Sequence, residues 1–120
     1  MQNKQLVQET IQSLTEFLPK IAEVCILISE DLRADKESEA LSNINDFINA
    51  MEWSTQAING IISLGYNLGI NTNELNDFLK EAQEGLEVHD YVLVADMFEY
   101  EFVPSIENWI NKVKELSIKN

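Results

Sequence analysis

Apolar residues recur along nearly the whole chain in alternating steps of four and three, and that spacing admits little besides packed amphipathic helices. The first run is Val7, Ile11, Leu14, Leu18, Ile21, Cys25 and Ile28. A second follows as Leu41, Ile44, Ile48, Met51, Thr55, Ile58 and Ile62, widened by Phe47 and Ile61. A shorter third places Leu75, Phe78, Leu79, Ala82 and Leu86 inward. The last runs Val88, Val92, Ala95, Glu99, Phe102, Ile106, Trp109, Val113, Leu116. Strand-like alternation is missing, and the chain holds only two prolines and four glycines. The expected fold is therefore all-α, an antiparallel up-down four-helix bundle with a short third helix, filling one domain over residues 1–120.

Helix boundaries follow from local chemistry. Arg33-Ala34-Asp35-Lys36 makes a polar break, with Asp35 or Ser38 as N-cap of the second helix and Gly69 as its C-terminal stop. Thr72 or Asn71 caps the third helix, and Asp90 caps the last, which should run to about Ser117 with an irregularity near Pro104. Glu9, Glu16, Glu23 and Glu30 repeat every seven residues opposite the first seam and read as a solvated face. Pro19 and Pro104 lie inside helical patterns and free the carbonyls of Thr15 and Tyr100. In antiparallel neighbours the two prolines fall at nearly the same height, which reads as matched curvature around the core.

Charge restricts the partners. Lys and Arg number 8 against 21 Asp and Glu, a formal charge of −13. Such a surface repels phosphate backbones and anionic lipid, so neither nucleic acid nor membrane is an expected partner. It suits solubility, or a protein partner that is basic or helical, and it leaves room for a homodimer. Cys25, the only cysteine, lies among Val24, Ile26 and Leu27 and reads as a buried small hydrophobe. Met1-Gln2-Asn3-Lys4-Gln5 leads into an amphipathic pattern and not into an apolar signal core. No apolar run approaches the roughly 20 residues of a membrane span, so the expected compartment is the cytoplasm. Abundant Asn, Ile, Lys and Glu beside a single Arg fits an AT-rich bacterial genome.

One residue violates the pattern. Glu99 occupies a seam position of the last helix, with Asp96 one turn before it, Tyr100 and Glu101 after it and Pro104 closing the segment. A seam carboxylate either snorkels to solvent at the edge or is partly buried and hydrogen-bonded; the expectation here is burial, with Asn45, Asn49 or Tyr66 as partners, or a backbone carbonyl freed near a proline if Glu99 is protonated. The stretch from Asp90 to Pro104, with its Asp-x-x-Glu-Tyr-Glu pattern, resembles the C-terminal helix of an uncharacterised family of small acidic helical proteins of Gram-positive bacteria. The resemblance implies no activity. It marks this helix as the place to look first.

Catalytic and cofactor signatures are weak. The only histidine, His89, has Leu86 three residues before it, so the Glu-x-x-His motif of di-metal bundles is missing and no cofactor is expected. An all-oxygen cation site from Asp96, Glu99 and Glu52 is conceivable, as is a small enzyme using Asp96, Glu99 and Glu101. Neither brings the loop-rich cleft in which substrates usually sit. Among the aromatics, Trp109 belongs to the seam, whereas Trp53 lies just off it and is the better exposed anchor. The expected function is non-catalytic protein binding, as an adaptor or helical chaperone, with Asp96, Glu99, Tyr100, Glu101 and Trp53 as the candidate interaction or polar-core residues. The alternatives are the small enzyme or cation binder, and an acidic inhibitor that mimics nucleic acid.

Overall fold

The seven-residue core seam of the first run forms as read. In the computed structural model, which describes residues 2–119 and the side chains of residues 4–116, α1 (Gln2–Arg33) buries Val7, Ile11, Leu14, Leu18, Ile21, Cys25 and Ile28 and adds Leu32. Met1, which opens the stretch read as lacking a signal core, lies outside the described residues. Glu9, Glu16, Glu23 and Glu30 are all exposed, as a solvated face requires. At about 1.5 Å per residue, 32 helical residues span about 48 Å. The molecule's long axis is 50 Å against 22 and 19 Å across, so α1 sets its length.

α1 ends in a Schellman turn. Lys36 N–H donates to the Asp31 carbonyl at 2.8 Å and Asp35 N–H to Leu32 at 3.4 Å, with Asp35 at φ +60°. Asp35 thus occupies the left-handed position that ends α1 and does not cap α2 (Glu37–Ser63), whose N-cap position is held by Lys36 without a side-chain bond. The end of α2 also differs from expectation. It stops six residues before Gly69, and the left-handed residue is Gly65, at φ +97°, with Tyr66 N–H reaching back to the Ile61 carbonyl. The segment 64–72 then folds back, burying Leu68, Ile70 and Thr72. Thr72 precedes α3 (Asn73–Glu87), but its hydroxyl donates to Asn59 Oδ1 at 3.1 Å, and it is Asn71, the other expected cap, whose Oδ1 accepts from the Asn73 N–H at 3.0 Å. Asp90 does cap the helix that follows, accepting from Leu93 N–H at 3.1 Å.

The last helix is not continuous. It comprises α4 (Tyr91–Met97), a π-helical turn (Phe98–Phe102) and α5 (Val103–Lys119). Val103 N–H donates to the Phe98 carbonyl, five residues back. Pro104 supplies the physical cause, because it has no N–H to offer the Tyr100 carbonyl and the ladder loosens just before it. The wider turn lets Val94, Phe98, Phe102 and Ile106, each four residues from the last, all face the core. Val88 and Val92, expected in the seam, are instead 73% exposed. From Phe102 onward the seam holds, with Ile106, Trp109 and Val113 buried.

α1 is the central helix: α2 packs on it, and so does the α4–π–α5 column. α3 packs on α4 and the π turn, and its backbone comes closer to these than to α2. Its tightest approach is at Gly85, where an added Cβ would stand 2.9 Å from a methyl of the fully buried Val94. Phenylalanines fill the wider space toward α2. The ring of Phe47 lies edge-on to Phe98 and Phe102, each at 5.1 Å, and Phe78 meets Phe102 at 6.1 Å. These are the offset and T-shaped geometries that the ring quadrupole favours. Among the described residues no helix is long and apolar enough to cross a membrane.

Candidate interaction groove

The π turn decides where Glu99 goes. Phe98 points inward, and Glu99, next in the chain, is carried out of the seam toward the C-terminal end of α1. There the chain's one arginine forms a fork: Arg33 Nη2 donates to Asp96 Oδ1 at 2.9 Å and Nη1 to Glu99 Oε1 at 3.1 Å. The side chains of Arg33, Asp96 and Glu99 are 40, 51 and 38% exposed. Glu99 is thus hydrogen-bonded but only partly buried, and its partner is Arg33 and not the expected Asn45, Asn49 or Tyr66, because Phe98 takes the inward position and the widened turn carries Glu99 to the seam edge. The Asp96 hydrogen bond, then that of Glu99 and the two negative charges, hold the guanidinium's pKa above its already high value. The neighbouring Glu99 carboxylate, through its pull on the hydroxyl proton and then its charge, pushes the exposed Tyr100 phenol above its ordinary value.

Of the residues singled out from sequence, Asp96, Glu99 and Tyr100 thus come together, while Glu101 is exposed and no bond joins it to Arg33. Trp53 sits apart, on the face shared by α1 and α2, edge-on to Phe17 at 5.3 Å and beside Glu16 and Lys20. Phe17 precedes Arg33 by sixteen residues, about 24 Å along α1. The fork is chemically a staple. Its two carboxylates are already paired with a cation, and among the described residues no three His, Cys, Asp or Glu side chains converge as a metal site.

The larger concavity lies on another face. Between α2 and α3 runs a groove of about 560 Å³ floored by Phe47 and Phe98. Leu41 and Ile48 form its α2 wall and Leu79 and Leu86 its α3 wall, with Ile44 and Ala82 deeper. The polar lining is two amides, Asn45 and Gln83. The groove exists because the seam of α2 is only half covered: Ile44, Met51 and Ile58 are buried, but Leu41 and Ile48 remain 42 and 37% exposed and Ile62 is exposed too. Sequence periodicity placed all six in one seam and could not tell that one edge stays open. It also overlooked Phe47, Phe98, Leu79 and Leu86 as site residues; no local signal marks them, because α3 runs alongside Leu41 and Ile48 but packs on α4 and the π turn instead of closing on α2.

Fold and surface together define an all-helical protein that carries an apolar inter-helix groove between α2 and α3. The chain belongs to the family described as Domain of unknown function (DUF8042), which matches residues 9–112. No curated protein and no solved structure matches it.

Proposed function

We propose that the protein is a non-catalytic protein-binding module, an adaptor or helical chaperone, that receives an apolar helix of a partner in the α2/α3 groove. The observation that carries this reading is the half-open seam of α2: heptad-spaced Leu41 and Ile48 stand at solvent above a floor of phenylalanines. Contiguous exposed apolar surface of this kind is a mark of interaction sites, and helix-in-groove docking uses apolar residues at i, i+3, i+4 and i+7. The volume is also that of a small-molecule pocket, but such pockets orient their ligands through several convergent polar groups, and here only Asn45 and Gln83 are on hand.

The proposal includes an up-down antiparallel arrangement in which α3 stands off α2 and leaves that side of it open, a cytoplasmic setting, and an origin among acidic helical proteins of Gram-positive bacteria. The enzymatic and cation-binding alternatives lose support because Asp96 and Glu99 are engaged by Arg33 on an exposed surface. A nucleic-acid partner is opposed by the charge of −13. The test is binding of a synthetic amphipathic helical peptide to the wild-type protein, to Ile48→Asp and to Trp53→Ala. Loss in the first variant with retention in the second supports the groove; retention in Ile48→Asp counts against it.

A further inference from the structure

The apolar walls of the groove have a repeat. Leu41 and Ile48 on α2 are seven residues apart, and so are Leu79 and Leu86 on α3. Seven residues advance about 10.5 Å along a helix, two turns. An incoming helix whose apolar residues fall at i, i+3, i+4 and i+7 repeats at the same distance. It can therefore meet both walls at once, covering the open edge of the α2 seam.

The rim has a sign. One turn before Leu41 is Glu37, one turn after Ile48 is Glu52, and one turn after Gln83 is Glu87; all three are exposed, and the single cation at this spacing is Lys80, three residues before Gln83. The floor and walls contain no charge. A helix lying in the groove would carry its flanking side chains at the level of this rim, where the protein's overall −13 adds to the local acids. A second copy of the chain is a poor occupant, since pairing two acidic bodies through this face sets like charge against like.

We infer that the groove between α2 and α3 selects a basic amphipathic helix, about two turns of apolar stripe flanked by Lys or Arg, as its protein partner. The inference rests on the protein-binding reading above and adds the chemistry of the partner to it. Apolar burial of the stripe supplies affinity, and the acidic rim supplies choice of partner and speed of encounter. Asn45 and Gln83 lie on the groove lining itself, within reach of polar side chains at the edge of the stripe.

The experiment uses three fluorescent peptides of about fifteen residues, long enough to form helix on binding. One has the stripe with Lys and Arg flanks, the second the same stripe with Glu flanks, and the third the basic residues with the stripe scrambled. Anisotropy titrations are run with the full chain, with Leu41→Asp and Ile48→Asp, and with the charge reversals Glu37→Lys, Glu52→Lys and Glu87→Lys combined. Circular dichroism checks that each variant is folded, and Leu41 and Ile48 are exposed enough that at least one Asp variant should be. The expected result is binding of the basic striped peptide at least about tenfold tighter than the acidic one. That preference should weaken between about 0.05 M and about 0.5 M salt, disappear in the charge-reversed protein, and be lost with all binding in the Asp variants. Equal binding of both striped peptides, lost in the Asp variants, overturns the charge inference and leaves the groove reading standing. Equal binding of the scrambled basic peptide, or no binding of any peptide, overturns both. Self-association of the unliganded chain that Ile48→Asp abolishes makes the occupant a second copy and also overturns the inference.

Discussion

Replacing Glu99 separates a surface staple from a buried misfit. Each arm of the Arg33 fork joins groups that are 38 to 51% exposed, and ion pairs of that exposure contribute about 0.2–1 kcal/mol. Arg33 also sits in the last turn of α1, where a cation gains a further ~0.3–1 kcal/mol from the helix dipole. Arg33→Met should therefore cost about 1–2 kcal/mol, and the nearly isosteric Glu99→Gln less than about 1 kcal/mol. Made together, the two should cost less than their sum by about 0.3–1 kcal/mol, the coupling carried by the Glu99 arm. Urea denaturation of the four proteins of the cycle gives these values from midpoints at constant slope. At about 1 M salt the coupling should fall by more than half, because the Debye length shrinks to about 3 Å. Glu99→Leu should stay within about 0.5 kcal/mol of wild type, since partial burial of the leucine offsets the lost pair. A gain above about 2 kcal/mol in Glu99→Leu, or no coupling in the cycle, would refute the reasoning and return Glu99 to the core.

Three further outcomes are expected. Gly60→Ala should stabilise by about 0.5–1 kcal/mol, because the site is exposed in the last turn of α2 with nothing within 4 Å of the new methyl; Gly85→Ala should instead destabilise by about 1–3 kcal/mol through its 2.9 Å clash with Val94, and thermal melts of the two variants will show opposite signs. Burial pushes the Cys25 thiol far above its ordinary value, so it should react with a disulfide reagent only at the rate of unfolding, and fast labelling of the native protein would contradict its place in the core. The Tyr100 phenol should ionise above the usual tyrosine range and return toward it in Glu99→Gln, as read by ultraviolet titration against Tyr100→Phe; a raised folded-state value means that any stabilisation from the Glu99 carboxylate is intact below the unfolded value and is lost as pH rises through the folded one.

Much of the architecture could be read from residue spacing because α1 repeats so regularly that every member of its seam is buried. The end of that helix was less legible, since Asp35 is equally suited to cap a helix and to enter the left-handed region, and only the backbone geometry decides. The π turn left a trace that an alternating three-and-four pattern hides. Val94, Phe98, Phe102 and Ile106 step by four three times in succession, more than 3.6 residues per turn allows, and Pro104 follows within the same stretch. Reading Glu99 as the seam residue in place of Phe98 concealed this. The partner of Glu99 had no local signal at all, since Arg33 lies 66 residues away and meets it only after the helices pack. The groove was hidden for a related reason. Periodicity identifies which residues of α2 share a face, but whether Leu41 and Ile48 are covered depends on how closely α3 packs on α2, which is a property of the assembled fold.

The central claim is that the open edge of α2 and the facing wall of α3 are where a partner helix docks. Its most direct test is amide chemical-shift mapping of the isotope-labelled chain titrated with the basic striped peptide. The account predicts perturbations concentrated in residues 41–48 and 79–86 and at Phe98, with the amides around Phe17 and Trp53 unmoved. Shifts centred on Phe17 and Trp53, or spread evenly over the acidic surface, would contradict it.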